Sequence, residues 1–191
     1  MTRAQTSVEI HDLIAERRSP RSLDGSAEIT TEANPDSVDE DYLRELYLVG
    51  FNRISFGMQS AVPKVLKVLE RTHNPENVAK NVTLAKDMGF QVSVDLIYGT
   101  PGETIADWTE SLQTAIDIET DHISAYSLIV ELGTKLHRQI SSGEIASPDE
   151  DLHAAMYEVA EQMLADAGFS NYEVSNWAKD TSSRSRHNIA Y

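Results

Sequence analysis

The stretch Asp87-Met88-Gly89-Phe90-Gln91-Val92-Ser93-Val94-Asp95-Leu96-Ile97-Tyr98-Gly99 holds a helix end, a turn and a strand in immediate succession. Gly89 suits the left-handed position just past a helix, where a side chain would be strained. Phe90 can fold back on the last helical turn and fix the direction in which the strand leaves. The unit recurs upstream as Leu48-Val49-Gly50-Phe51-Asn52-Arg53-Ile54-Ser55-Phe56-Gly57 and downstream as Ala167-Gly168-Phe169-Ser170-Asn171-Tyr172-Glu173-Val174-Ser175. Strands are expected at Glu28–Glu32, Asn52–Gly57, Val92–Tyr98 and His122–Val130. The helices between them carry start signals: Ser37 with Glu40 as a capping box, Asn74-Pro75, and Ser147-Pro148 with Glu150. A further helix is expected over Thr104–Ile118. Strand–helix alternation with short turns predicts a parallel α/β sheet, doubly wound or barrel-like. Four strands are too few for a closed eight-fold barrel, so the sheet is expected to be open or part of something larger. Residues 1–26 fit the scheme poorly, with a helix expected over Val8–Glu16 and a linker over Arg17–Ser22.

The 191 residues carry 16 Lys and Arg against 31 Asp and Glu, a formal net charge of −15. Such a chain repels phosphates, which argues against nucleic acid or an anionic membrane surface as the main partner. Hydrophobic residues make up 40%, enough for a real core. There is no cysteine, which removes disulfides, thiolate metal sites and a Cys nucleophile from these residues. The six histidines show no i, i+4 pair and no metal-ligand spacing. No apolar run reaches the roughly 18 residues of a membrane span and Met1–Gln5 opens no export signal, so a cytoplasmic location is expected. The glycosylation sequon at Asn81-Val82-Thr83 falls inside a predicted helix and is discounted.

In parallel α/β folds ligands bind at the carboxyl ends of the strands. Glu32, Gln59 and Asp95 stand there at the ends of the first three strands and are expected to look onto one mouth. Taken singly, each has a plain reading: Glu32 before a turn, Gln59 capping the next helix, Asp95 paired with Arg53 or Arg71. Three at successive strand ends weigh toward a ligand. Gly99-Thr100-Pro101-Gly102 lacks the lysine and the glycine spacing of a phosphate loop and reads as a turn.

These stretches, in their order and spacing, resemble one family from Ala27 onward. The motifs are Glu28-Ile29-Thr30-Thr31-Glu32-Ala33-Asn34-Pro35, Gly50–Gln59, Leu69-Glu70-Arg71-Thr72-His73, Val94–Gly99, Tyr172-Glu173-Val174-Ser175-Asn176-Trp177-Ala178-Lys179 and Arg186-His187-Asn188-Ile189-Ala190-Tyr191. They resemble the coproporphyrinogen III oxidase-like radical S-adenosylmethionine proteins, specifically the HemW-type heme chaperones. The resemblance implies a radical-SAM TIM-like barrel of six strands, open, of which residues 27–135 supply parallel strands 3–6. Residues 136–191 would begin a C-terminal extension, with 1–26 as a leader. It implies that Glu32, Gln59, Arg71 and Asp95 hold S-adenosylmethionine, Gln59 and Asp95 at the ribose hydroxyls, Arg71 at the methionyl carboxylate and Glu32 facing the cationic part. It offers His187 as an axial heme ligand.

The family also binds a [4Fe-4S] cluster through Cys-x-x-x-Cys-x-x-Cys, and that motif has no counterpart here. The match begins at the family's third strand and stops before an expected Trp, so a piece of a longer chain is expected. Whether the polypeptide is an enzyme stays open, and alone it is expected not to cleave S-adenosylmethionine. The function implied is that of a heme chaperone passing heme to an acceptor protein. The alternative is an oxygen-independent coproporphyrinogen III oxidase, converting coproporphyrinogen III to protoporphyrinogen IX by oxidative decarboxylation. A hydrolase built on Glu32 and Asp95 lacks a recognisable nucleophile and base. If the family's first two strands are absent, the edge of the first strand is expected to be covered by Thr6–Arg18 or by a second copy of the chain.

Overall fold

The computed structural model describes residues 27–189. The leader at 1–26, with the helix and linker expected there, lies outside them. Four parallel strands, β1 (Thr30–Ala33), β2 (Arg53–Gln59), β3 (Gln91–Tyr98) and β4 (His122–Ser127), stand side by side in chain order. Two short strands, β5 (Ser170–Glu173) and β6 (Asn176–Ala178), complete a six-stranded sheet of order β1-β2-β3-β4-β6-β5, with β6 antiparallel to β4 and to β5. The helices are α1 (Glu40–Leu48), α2 (Pro63–Val68), α3 (Pro75–Asp87), α4 (Ile105–Asp117), α5 (Lys135–Ser141), α6 (Glu150–Asp166) and α7 (Arg186–Ile189). Among the described residues the sheet is open, with β1 and β5 at its edges. Residues 136–189 thus add strands to the same sheet that holds the four parallel ones.

The recurring helix–glycine–aromatic unit works as expected at all three places. Gly50, Gly89 and Gly168 have φ near +101°, +92° and +85°. The amide of the aromatic that follows reaches back to the helix: Phe51 N to Leu46 O (3.1 Å), Phe90 N to Ala85 O (3.0 Å) and Phe169 N to Leu164 O (2.8 Å). This closes otherwise orphaned helical carbonyls and aims the next strand. The third copy differs in outcome. Only Val174 and Ser175 separate β5 from β6, and so short a connection joins antiparallel strands.

Two expected caps move by two residues each. α1 is capped by Asp39, whose Oδ1 accepts from Tyr42 N at 2.9 Å, because Ser37 is spent in a 3₁₀ turn over Pro35–Ser37. α6 is capped by Asp149, which accepts from Asp151 N and Leu152 N and places a negative charge at the helix N-terminus. Thr104 and Asp107 form a full capping box on α4. Asn81, the discounted sequon residue, is buried and donates its Nδ2 to Pro35 O at 2.7 Å.

The sheet has two chemically distinct faces. Ile54, Phe56, Met58, Val92, Val94, Leu96, Ile123 and Ala125 are buried against Leu43 and Leu46 of α1, Val78 and Val82 of α3, Trp108 and Leu112 of α4, and Met156 and Leu164 of α6. The alternate residues Glu32, Arg53, Ser55, Ser93, Asp95, His122 and Ser124 face the other way, around a cavity. This is a half-apolar alternation, period two, within parallel strands.

Arg53 stands at the amino-terminal end of that polar face with 1% exposure. Its Nε donates to Glu28 Oε2 (3.0 Å), its Nη1 to Ser93 Oγ (3.3 Å), and its Nη2 to Gln91 Oε1 (2.6 Å), Ser183 O (2.8 Å) and Arg184 O (3.1 Å). One guanidinium therefore joins the lead-in to β1, strands β2 and β3, and the segment before α7. Removing it leaves a nearly buried carboxylate without its counter-charge and two carbonyls without their guanidinium donor. Arg53→Met should destabilise the chain by about 3–5 kcal/mol in urea denaturation. Adding Glu28→Gln should restore part of that loss, and strictly additive effects would show that the pair is not coupled.

Candidate functional site

The polar face of the sheet lines a cavity of about 530 Å³. Glu32 from β1, Gln59 from β2 and Asp95 from β3 all line it, as the sequence predicts. Their placement follows from register: Glu32 lies beside Ser55, Gln59 beside Leu96, and Asp95 beside Ser124. Gln59 does not cap the following helix, whose N-cap is Val62 with no side-chain bond. A register shift between Phe56 and Gln59 breaks the ladder there, and Gln59 has φ of +62°. Gly57 leaves room for the Gln59 amide, because a Cβ at position 57 would stand 2.8 Å from Gln59 Nε2.

Asp95 is not ion-paired with Arg53 or Arg71. Arg53 is committed to Glu28 at the far end of the strands. Asp95 Oδ2 instead accepts from Ser55 Oγ at 2.9 Å, and Ser124 supplies a second hydroxyl. Burial outweighs these hydrogen bonds, and the Glu32 carboxylate adds repulsion, so the Asp95 carboxyl is pushed up from 3.8 to about 6. Below about pH 4 the group is neutral folded or unfolded and costs nothing. Between about 4 and 6 the unfolded chain ionises first and the folded state loses ground. Above about 6 the full penalty stands, up to about 3 kcal/mol at neutral pH. A cation or a hydroxyl-bearing ligand beside Asp95 would relieve that penalty.

Arg71 is exposed, on the turn after α2, with its amide bonded to Leu66 O at 2.8 Å; it is not among the residues lining the cavity. His187 does line it, from α7. Sequence reading passed over much of the remaining lining, including Ser55, Ser93, His122, Ser124, Tyr126 and Ser127. The signal was present, because Arg53 and Ser55, Ser93 and Asp95, and His122, Ser124 and Tyr126 sit two residues apart on their strands. His122 is 1% exposed, with Nε2 2.7 Å from Tyr172 OH and Nδ1 without a partner among the described residues. Burial and the Arg53 charge push its pKa down to about 3, so the imidazole is neutral. The Gly99–Gly102 segment is a turn as expected, and it buries Glu103, whose Oε2 accepts from Thr100 N at 2.9 Å. Desolvation pushes Glu103 up to about 7.

The donor set suits a ligand carrying hydroxyls and positive charge: two carboxylates, a primary amide and several serines, with no cation at the strand ends among the described residues. It does not suit an iron–sulfur cluster. The chain has no cysteine, and among the described residues no group of three or more His, Asp or Glu side chains could hold a metal ion.

Comparison with known proteins agrees with this geometry. Residues 5–115 match the Radical SAM superfamily. The chain is 45% identical over 166 residues to the heme chaperone HemW of Mycobacterium tuberculosis, covering 86% of this chain and 42% of that protein. It is 36% identical over 171 residues to the mitochondrial radical S-adenosyl methionine domain-containing protein 1 of Danio rerio, covering 89% of this chain and 38% of that protein. The chain thus spans about two fifths of the length of these curated relatives. Its fold matches coproporphyrinogen III oxidase HemN of Escherichia coli, a radical SAM enzyme, with a TM-score of 0.82 at 22% identity over 96% of this chain and 42% of that one. The two-faced sheet with its polar cavity is therefore a portion of a TIM-like barrel, and the chain belongs to the radical SAM superfamily.

Proposed function

We propose that this chain is the S-adenosylmethionine- and heme-binding portion of a heme-trafficking protein of the HemW type. The observation that carries the reading is the convergence of Glu32, Gln59, Asp95 and His187 on one cavity. Gln59 and Asp95 would bind ribose hydroxyls, and Glu32 would face the sulfonium or ammonium charge. Bound S-adenosylmethionine supplies both the diol and the cation that this acceptor-rich wall lacks. Arg71, exposed beyond the lining, would meet the methionyl carboxylate from outside. His187 would ligate heme iron. The cargo is heme, passed to an acceptor protein, in the cytoplasm. Among the described residues no helix is long and apolar enough to cross a membrane.

The 45% identity to a heme chaperone, against 22% to the oxidase of the same fold, favours the chaperone over coproporphyrinogen oxidation. The Asn176-Trp177-Ala178-Lys179 and His187-Asn188 segments point the same way. Reductive cleavage of S-adenosylmethionine needs cluster ligands that these residues do not provide. The open β1 edge, paired on one side only among the described residues, also supports self-association of this chain.

Four measurements test the reading. Incubated with S-adenosylmethionine and a strong reductant, the 191-residue chain should release no 5′-deoxyadenosine above a heat-killed control. Equilibrium dialysis should show binding of S-adenosylmethionine that falls at least tenfold in Asp95→Asn, about 1.4 kcal/mol or more. The same variant should be more stable than the wild type in urea at pH 7.5, by up to about 3 kcal/mol, and lose that advantage near pH 4. Unchanged binding in Asp95→Asn would sink the assignment of this wall. Sedimentation should show concentration-dependent self-association, and a monomer at all concentrations would remove that part of the proposal.

A further inference from the structure

Helix α7 has four residues, Arg186–Ile189, and none of its side chains is buried. So short a helix does not hold its own conformation in water. It is held from two sides: Glu28 Oε1 accepts from Arg186 N at 2.9 Å, and the β5–β6 hairpin binds the residues around His187. Ser185 N, just before the helix, donates to Tyr172 OH at 3.1 Å. Asn188 Nδ2 donates to Asn176 Oδ1 at 3.0 Å, and Asn176 Nδ2 donates in turn to Glu173 Oε2. Tyr172 is itself anchored, with its hydroxyl 2.7 Å from Nε2 of the buried His122 on β4. The two residues tied down, Ser185 and Asn188, bracket His187.

We propose that Tyr172 and Asn176 are positioning residues for His187, holding the imidazole toward the cavity through Ser185 and Asn188. This rests on the reading of His187 as a heme ligand. The geometry makes the position sensitive, because a slip of one residue along a helix turns a side chain by about 100°. A histidine on an unanchored single turn would sample many directions and ligate iron weakly. With both flanking residues bonded to strands of the main sheet, little of that freedom remains to be lost on binding. Tyr172 also carries the Arg184 guanidinium over its ring at 5.4 Å and lies edge-on to His122, contacts that survive loss of the hydroxyl alone.

The test is a titration of the 191-residue chain with ferric heme, read by affinity and by the absorption band of imidazole-ligated iron. His187→Ala should lower affinity at least tenfold and abolish that band. Tyr172→Phe and Asn176→Ala should each lower affinity three- to tenfold and move the band toward the His187→Ala form, with far-ultraviolet circular dichroism unchanged. Asn188→Ala, at a half-buried position, supplies an independent cut should either hairpin variant fold poorly, and it should behave in the same way. Wild-type spectra and affinity in the folded positioning variants, beside a loss in His187→Ala, would overturn the positioning role and leave the heme reading standing. Wild-type heme binding in His187→Ala would overturn both.

Discussion

The Arg53 guanidinium is the contact on which the arrangement of the cavity depends. It is an ion held at 1% exposure, and an isolated charge in that setting would be prohibitively costly. Glu28 neutralises it, and acceptors on β3 and on Ser183 and Arg184 use the remaining donors. Glu28 also accepts from Arg186 N at 2.9 Å, so the same ion pair grips the start of α7. Segments more than a hundred residues apart are thereby brought under one end of the sheet. The planar fork of arginine suits this task, because a lysine would offer three donors from a single nitrogen.

At the other end of the strands the electrostatics are reversed. Glu32 and Asp95 face the cavity with serine hydroxyls and an amide, and no ion pair reaches Asp95 among the described residues. The protein bears an energetic penalty there that a hydroxyl- or cation-bearing ligand removes. Between the two ends lie the neutral His122 and the Tyr172 hydroxyl, which connect the sheet to the short helix of His187. The cavity is thus built in layers: a cationic clamp, a neutral hydrogen-bonded middle and an acidic mouth. Arg53, His122, Glu32 and Asp95, one or two to a layer, come from alternate positions of the parallel strands.

Much of this was legible locally. The exits at Gly50, Gly89 and Gly168, the start of α3 at Asn74-Pro75 and the start of α4 at Thr104 depend on residues within one turn of each other. Glu32, Gln59 and Asp95 were found because strand ends are where parallel α/β folds place ligands. The cap of α1 was misplaced because Asn34 and Pro35 wind a 3₁₀ turn that uses up Ser37 and passes the task to Asp39. Gln59 looked like a helix cap because its positive φ and the break in strand register leave no mark on the residue itself.

The sequence by itself determined the parallel α/β class, the three repeated helix exits, the polar strand ends and the absence of any thiolate ligand. These follow from side-chain chemistry, backbone preference and short-range spacing. Tertiary structure alone decided the partners of long-range groups: Arg53 with Glu28 rather than Asp95, His122 with Tyr172, and Asn188 with Asn176. It also decided that β6 pairs antiparallel with β4 and that α7 comes to rest beside the sheet's polar face. Those outcomes depend on which distant segments meet when the apolar face of the sheet is buried under its helices. Several acceptors are always open to a given donor, and only packing selects among them.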